Sequence, residues 1–330
     1  MKKKSQIAVL LVIIIAGLSI SNFCLSRPNS SYKYQQFFEE KGDFDVLFFG
    51  SSHVMNGISP LDIWGEYGIT SYNLGNSNSL LPQTYWTIVE ATRYHKPKII
   101  VLDTYFIHWD EKTQGTSWTH DAFDCFPLDI TKYQLAKDLF EDRASITELL
   151  FPFSVYHNRW EEVDSKELHQ KLSRSSNWNK GCELLYGKHK FNNLNLIPES
   201  EYEKYDSTGI DYLKKISMFC SDNGIQLVLI RIPFEMDDQL QLKLNYVSVI
   251  AKDMNLPFIN YSYSDVVDFS TDFADDSHLN REGARKFSLA LGRYLKDNYS
   301  LKDKRNDPNY DDWNNDYSEM LLLSTSEPGY

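Results

Sequence analysis

Three residues of complementary chemistry stand far apart in the chain. Ser52 lies in Gly50-Ser51-Ser52-His53, while Asp275 and His278 lie in Asp272–Asn280. A serine hydroxyl is a poor nucleophile until a base takes its proton, and the base needs an acid to fix its tautomer. Ser52, His278 and Asp275 fill those roles, with Asp276 as rival for the third. The step of three from Asp275 to His278 suits a tight loop that turns one side chain back onto the other. Each piece also has a plain structural reading. Gly-Ser-Ser is an ordinary turn with a cap, and Asp-x-x-His is equally a capping acid beside a surface histidine. The elements that carry these residues decide between the readings.

Val46–Phe49 is a short apolar run ending at Gly50 and reads as a buried strand. A hydroxyl just beyond such a strand occupies the working edge of an open α/β sheet. A helix can begin there, with its free N–H groups turned toward negative charge. Further strands are expected at Ile69–Leu74, ending at Gly75, and at Ile99–Tyr105, Ile225–Ile232 and Pro257–Tyr261. Helices are expected at Ser59–Tyr67, with Ser59 as cap and Pro60 in the first turn, at Leu81–His95, and at Thr208–Asn223 before Gly224. Two more follow at Gln239–Met254 and Arg281–Asn298. This alternation predicts an α/β fold with a doubly wound, flavodoxin-like parallel sheet of five strands. The loops after its first and fifth strands open on one edge, so Ser52 and His278 can meet.

Two segments break the pattern. Residues 108–205 are aromatic, polar and irregular, with helices expected at Lys132–Phe140 and Ser165–Leu172. That is too long for a loop in a compact domain, so an insertion packed beside the sheet is expected. Residues 301–330 are acidic and rich in Asn and Asp, apart from an apolar knot at Met320–Leu323, and read as a largely disordered tail.

The totals set the surroundings. The 330 residues are 42% hydrophobic, enough for one large core, and the net charge is −12. Without the +3 of Lys2–Lys4 the body stands at −15, which argues against nucleic-acid binding. Ile7–Phe23 is uncharged and just long enough to span a bilayer. The preceding lysines place the N-terminus in the cytoplasm and the body outside it, as a single-pass membrane protein. A cleaved signal peptide, and so a secreted body, is the alternative. Arg27–Lys41 is then a polar linker. Three body cysteines, Cys125, Cys182 and Cys220, are too few for a disulfide framework; Cys125 and Cys182 are the pair that could join. No cysteine or histidine spacing suggests a metal, and no cofactor is expected.

Gly50-Ser51-Ser52-His53, Gly75, and Asp275-x-x-His278 before the last helix resemble blocks I, II and V of the SGNH (GDSL-like) hydrolase superfamily. The resemblance covers roughly 45–105 and 206–299. It implies that Ser52 is the nucleophile, His278 the base and Asp275 its partner, with the Ser52 and Gly75 amides as oxyanion donors. Ser51 stands where the superfamily usually has Asp. Block III departs further: Leu102-Asp103-Thr104-Tyr105-Phe106 lacks the Asn that supplies an oxyanion donor. Asn76, Asn78 or the Tyr105 hydroxyl are the substitutes in reach.

The anchor, the Gly-Ser-Ser block and the long insertion together resemble extracytoplasmic proteins of polysaccharide O-acetylation and teichoic-acid D-alanylation. That likeness implies an envelope glycan as substrate and a membrane-bound O-acyltransferase as partner. The domain plan is then a cytoplasmic stub and membrane helix at 1–26, a linker at 27–44, an SGNH-like domain at 45–300 with insertion 108–205, and a tail at 301–330. The function expected is a serine esterase or O-acyltransferase. A non-catalytic protein of the same fold, binding glycan or scaffolding an acyltransferase, is the alternative.

Other residues have weaker claims. His53 can line the site or sit in a surface turn. Asp103, at the active edge, can hold a sugar hydroxyl or His53, or cap the following turn. Arg231 interrupts an apolar strand, as an internal salt bridge or a grip on an anionic or sugar group. His157 and Trp160, within Tyr156–Trp160, combine polar and aromatic types as a sugar platform does.

Overall fold

A computed structural model describes residues 2–26, 31–172, 179–191 and 195–326. In chain order the first elements are α1 (Lys2–Leu25), α2 (Ser31–Glu39), β1 (Val46–Phe49), α3 (Ser52–Gly57), α4 (Pro60–Tyr67), β2 (Ser71–Asn73), α5 (Leu81–Tyr94) and β3 (Ile99–Asp103). The middle of the chain forms α6 (Thr116–Phe123), α7 (Ile130–Leu139), α8 (Arg143–Leu150), α9 (Phe153–Tyr156) and α10 (Ser165–Leu172). Then come α11 (Thr208–Asp222), β4 (Gln226–Arg231), α12 (Asp238–Asp253), β5 (Phe258–Asn260), α13 (Arg281–Asn298) and α14 (Asp311–Ser326). They fall into two compact units, one of residues 33–114 and 177–330, the other of 1–32 and 115–176.

The larger unit holds a five-stranded sheet in the order β2-β1-β3-β4-β5, every pairing parallel. The order reverses between β1 and β3, the switch point outside which such sheets bind ligands. Side chains alternate across the strands. Val46, Phe48, Ile99, Val101, Val228 and Ile230 share one apolar cluster with Ala284, Phe287, Leu291 and Leu295 of α13. Those α13 residues recur at helical spacing and form its buried stripe. Each such Leu or Phe contributes about 1.5–3 kcal/mol on burial. Leu47, Phe49, Ile100, Leu102, Leu227 and Leu229 are equally buried on the other face, as a sheet covered on both sides requires. Local signals set the helix ends. Ser59 accepts from the Asp62 amide, with Pro60 in the first turn of α4, and Gly68 closes that helix at φ 65°. Asn280 caps α13 through the Glu282 and Gly283 amides.

Three sequence expectations change. The linker at 27–44 contains α2, docked on the sheet through buried Tyr34 and Phe37. The tail is folded over 301–326. Trp313 and Met320 are buried, Trp313 packs on Trp64 with ring centroids 5.2 Å apart, and Trp64 Nε1 donates to Asn314 Oδ1. Composition hid a stripe at Trp313, Tyr317 and Met320, the i, i+4, i+7 spacing of one helix face. The insertion is also shorter than 108–205. Residues 179–191 belong to the sheet unit: the Glu183 amide donates to Met55 O, His189 pairs with Phe273, and Phe191 enters the core.

In the smaller unit α8 packs against α6, α7 and α9, with Phe123, Leu135, Leu139 and Leu149 buried. Asp124 ties two of these helices, accepting from His120 Nδ1 at 2.7 Å and from the Tyr156 hydroxyl at 2.8 Å. The helix over Lys4–Leu25 is long and apolar enough to cross a membrane, a test that a signal sequence also passes. Cys182 is a buried free thiol of the sheet unit.

Candidate active site

The chain leaves β1 through Gly50 at φ 151°, a conformation side chains rarely adopt. A Cβ there would meet Val54 Cγ2 at 2.7 Å and Asp103 Cβ at 2.9 Å, so glycine is required twice over. Ser51 then caps α3, its Oγ accepting from the His53 amide, and Ser52 is the first helical residue. The amide of Ser52 belongs to the first turn, where helix N–H groups lack an intrahelical acceptor.

His278 arrives from the far end of the sheet, in the loop before α13. Its Nε2 lies 2.8 Å from Ser52 Oγ. Its Nδ1 lies 2.9 and 3.0 Å from the two carboxylate oxygens of Asp275. A carboxylate only accepts, so Nδ1 carries the hydrogen and Nε2 is left to accept from the Ser52 hydroxyl. Asp275 Oδ1 also accepts from the Ser277 and His278 amides, both at 2.8 Å. Burial pushes its carboxyl upward, but the His278 ring and these amides outweigh it and hold Asp275 below the usual carboxylate range. Asp276 makes no such contact; its carboxylate accepts from the Ser277 hydroxyl.

His53, beside the serine, is 3% exposed. Its ring lies between Tyr105 and Phe234, at centroid distances of 4.3 and 4.7 Å, and edge-on to His278 at 5.7 Å. Burial first, then the charge of His278, lowers its pKa to about 3 against the pull of Asp275, so the ring is neutral at physiological pH. Tyr105 thus offers its ring to His53. Burial and the charges of Asp103 and Asp276 raise its hydroxyl above the ordinary phenol range.

The oxyanion candidates separate. Gly75 packs tightly on α3, where a Cβ would meet Met55 N at 2.6 Å. Its N–H, however, donates to Asn73 Oδ1 at 3.0 Å, and is therefore already engaged. The Asn76 backbone is tied to the serine turn, its amide donating to Gly50 O at 3.0 Å. Its side chain is 2% exposed, and Oδ1 has no partner among the described residues. Asn78 occupies a left-handed turn position at φ 53°, a conformation Asn tolerates, and is half-buried.

Two candidates lie out of reach of a substrate. Asp103 is 2% exposed and accepts from the Tyr105 and Ile232 amides, closing the ends of β3 and β4. Burial raises its pKa to about 7 despite those amides and Arg231. Arg231 is wholly enclosed and makes no ion pair among the described residues. It donates to Leu244 O, stacks near Phe258 and leaves Nε and Nη1 unpartnered. The expected internal salt bridge is therefore replaced by a backbone contact and the longer-range field of Asp103. His157 and Trp160 belong to the 115–176 unit; His157 Nδ1 bonds locally to Ser154 O.

Three supports escaped the sequence reading. Asn73 is fully buried, and its Nδ2 donates to Val54 O and Ile58 O, both at 2.7 Å, clamping α3 to β2. A polar residue at the end of a buried strand was the available signal. Lys33, in what read as linker, donates to Gly75 O, and burial lowers its pKa to about 8. Phe234 completes the wall around His53. An open cleft of about 720 Å³ borders the His278 loop, lined by Asp276 and Ser277 of that loop and by Glu235, Asp237 and Asp238.

No protein-family model matches the chain, and no curated protein matches it. Among solved structures it is similar to a provisionally assigned acylhydrolase from Bacteroides fragilis. The identity is 11%, over 81% of this chain and 94% of that one, with a TM-score of 0.39. It is also similar to a GDSL-like lipase from Bacteroides thetaiotaomicron, at 10% identity over 82% of this chain and 99% of that one, with a TM-score of 0.40.

Proposed function

We propose that the sheet unit is a serine-dependent acyl esterase or acyltransferase of the SGNH type. The observation that carries this reading is the continuous hydrogen-bonded line from Ser52 Oγ through the His278 ring to Asp275. Ser52 Oγ attacks an ester carbonyl while its proton passes to His278 Nε2. Asp275 steadies the imidazolium that forms. His278 then protonates the departing alkoxide, leaving an acyl-Ser52. Water or a sugar hydroxyl attacks that ester and gives its proton to Nε2; the acyl–Oγ bond then breaks, releasing the acid or the new ester, and Nε2 returns the proton to Ser52 Oγ. The oxyanion is met by the Ser52 amide and the Asn76 carboxamide. Gly75 shares its N–H with Asn73 and contributes less.

The substrate proposed is an acyl ester of an envelope polysaccharide, with a membrane-bound O-acyltransferase as partner. Glu235, Asp237, Asp238 and Asp276, which line the cleft bordering the His278 loop, disfavour phosphorylated or sulfated esters and suit neutral or cationic ones. The engaged Gly75 amide and the missing block III Asn favour a second reading, a glycan-binding or scaffolding protein with little turnover. Hydrolysis of p-nitrophenyl acetate by the full chain decides between them. Turnover that disappears in Ser52→Ala and in His278→Ala supports the enzyme, whereas turnover indifferent to both supports the scaffold.

A further inference from the structure

α1 carries a stretch, Lys4–Leu25, that is uncharged beyond Lys4 and in which no residue is fully buried by protein. At 1.5 Å per residue its 22 residues span roughly 33 Å, close to the ~30 Å hydrocarbon core of a bilayer. Leu25 therefore falls at the far headgroup layer when Lys2–Lys4 occupy the near one. The 115–176 segment is fastened at that point. Arg159 Nη1 donates to Leu25 O at 2.6 Å, satisfying one of the carbonyls that a helix end leaves open. Glu167 holds the same guanidinium through Nη2 at 3.0 Å, and Glu162 holds Nε at 3.1 Å. Both α9 and the 3-10 turn that follows it, His157–Glu161, lie against α1.

The side chains next to this junction are apolar and uncovered. Trp160, adjoining Arg159, is 68% exposed, Phe151 is 55% exposed and Val155 is 39% exposed. An exposed Trp beside the end of an apolar span matches the amphipathic belt of the membrane interface. Charge does not draw the unit there, because residues 115–176 hold eleven acidic and seven basic side chains. Apolar insertion is left as the driving term. We propose that Phe151, Val155 and Trp160 form a foot seated in the interfacial layer of the bilayer that receives α1. The inference rests on α1 remaining in the membrane rather than being removed as a signal peptide. It makes the 115–176 insertion a membrane-contacting collar rather than a sugar platform.

The test uses the full chain in phosphatidylcholine vesicles, with acyl chains brominated near the headgroup. Flotation after a carbonate wash reports α1 separately. Tryptophan emission assigned to Trp160, by difference from Trp160→Phe, is expected to be quenched by the brominated lipid, shielded from aqueous acrylamide, and unchanged at high salt. A chain that fails to float overturns the membrane reading of α1 and the foot with it. A floating chain whose Trp160 answers to acrylamide but not to brominated lipid overturns the foot alone. Shielding without bromine quenching, the mark of a protein contact, overturns it as well.

Discussion

Asn73 and Asn76 are both buried, stand three residues apart, and are assigned opposite jobs. Asn73→Ala takes the side-chain donor from Val54 O and Ile58 O and the acceptor from the Gly75 amide; Val54 O keeps the Ile58 amide at 3.1 Å, so the loss falls mainly on Ile58 O and the Gly75 amide. Each buried polar group left unpaired costs about 1–3 kcal/mol, and water entering the gap recovers part of that. A net loss of roughly 3 kcal/mol or more is expected, which lowers Tm by about 6–12 °C for a domain of this size. Asn76→Ala removes a carboxamide whose oxygen has no partner, so it orphans nothing. Its Tm should hold within about 2 °C, since substitutions that orphan no group are near neutral. Its ester turnover should instead fall roughly 10²–10³-fold, the usual loss for one oxyanion donor. Differential scanning fluorimetry and p-nitrophenyl acetate kinetics on both variants measure the contrast. An Asn76→Ala protein with wild-type kcat, or an Asn73→Ala protein with wild-type Tm, refutes the assignment.

Asp275→Asn keeps the shape but cannot fix the Nδ1–H tautomer, so kcat should drop by roughly 10³-fold or more while KM changes little; an unchanged kcat would count against the relay. Asp103 is raised to about 7 by burial, so its contribution to stability is present below pH about 4 and lost as pH rises through about 7. The melting temperature of Asp103→Asn, compared with wild type, should therefore gain steadily between pH 4 and pH 7; parallel pH profiles would refute that. His53 acts in the opposite sense, since a neutral buried ring loses stability as pH falls from 6.5 toward about 3. Trp313→Ala should cost about 3–5 kcal/mol, the usual loss for a buried Trp; an unshifted Tm would mean that α14 is not part of the folded body.

The sheet was legible because its central strands β1, β3 and β4 are buried almost throughout and near-continuously apolar, and because a cap such as Ser59 announces its helix in one dimension. The Ser52–His278 meeting was legible for a topological reason. A parallel sheet sends every strand's exit to one edge, so the distance along the chain ceases to matter. What stayed hidden depended on partners far away. Asn73 looks like any strand residue until α3 lies over it, and Lys33 looks like solvent-facing linker until β2 ends beneath it. Asp103 and Arg231 looked available because each breaks an apolar run, but both are sealed by the backbone of their neighbours. The folded C-terminus is masked by its acidic composition, which outweighs the helical spacing of Trp313, Tyr317 and Met320.

The central claim is that Ser52 is the group His278 activates. Incubation of the full chain with a fluorophosphonate, followed by peptide mass mapping, tests it most directly. The account predicts one stoichiometric adduct on the Ser52 peptide, absent in Ser52→Ala and strongly slowed in His278→Ala. A protein that stays unlabelled, or that is labelled equally after either substitution, contradicts it.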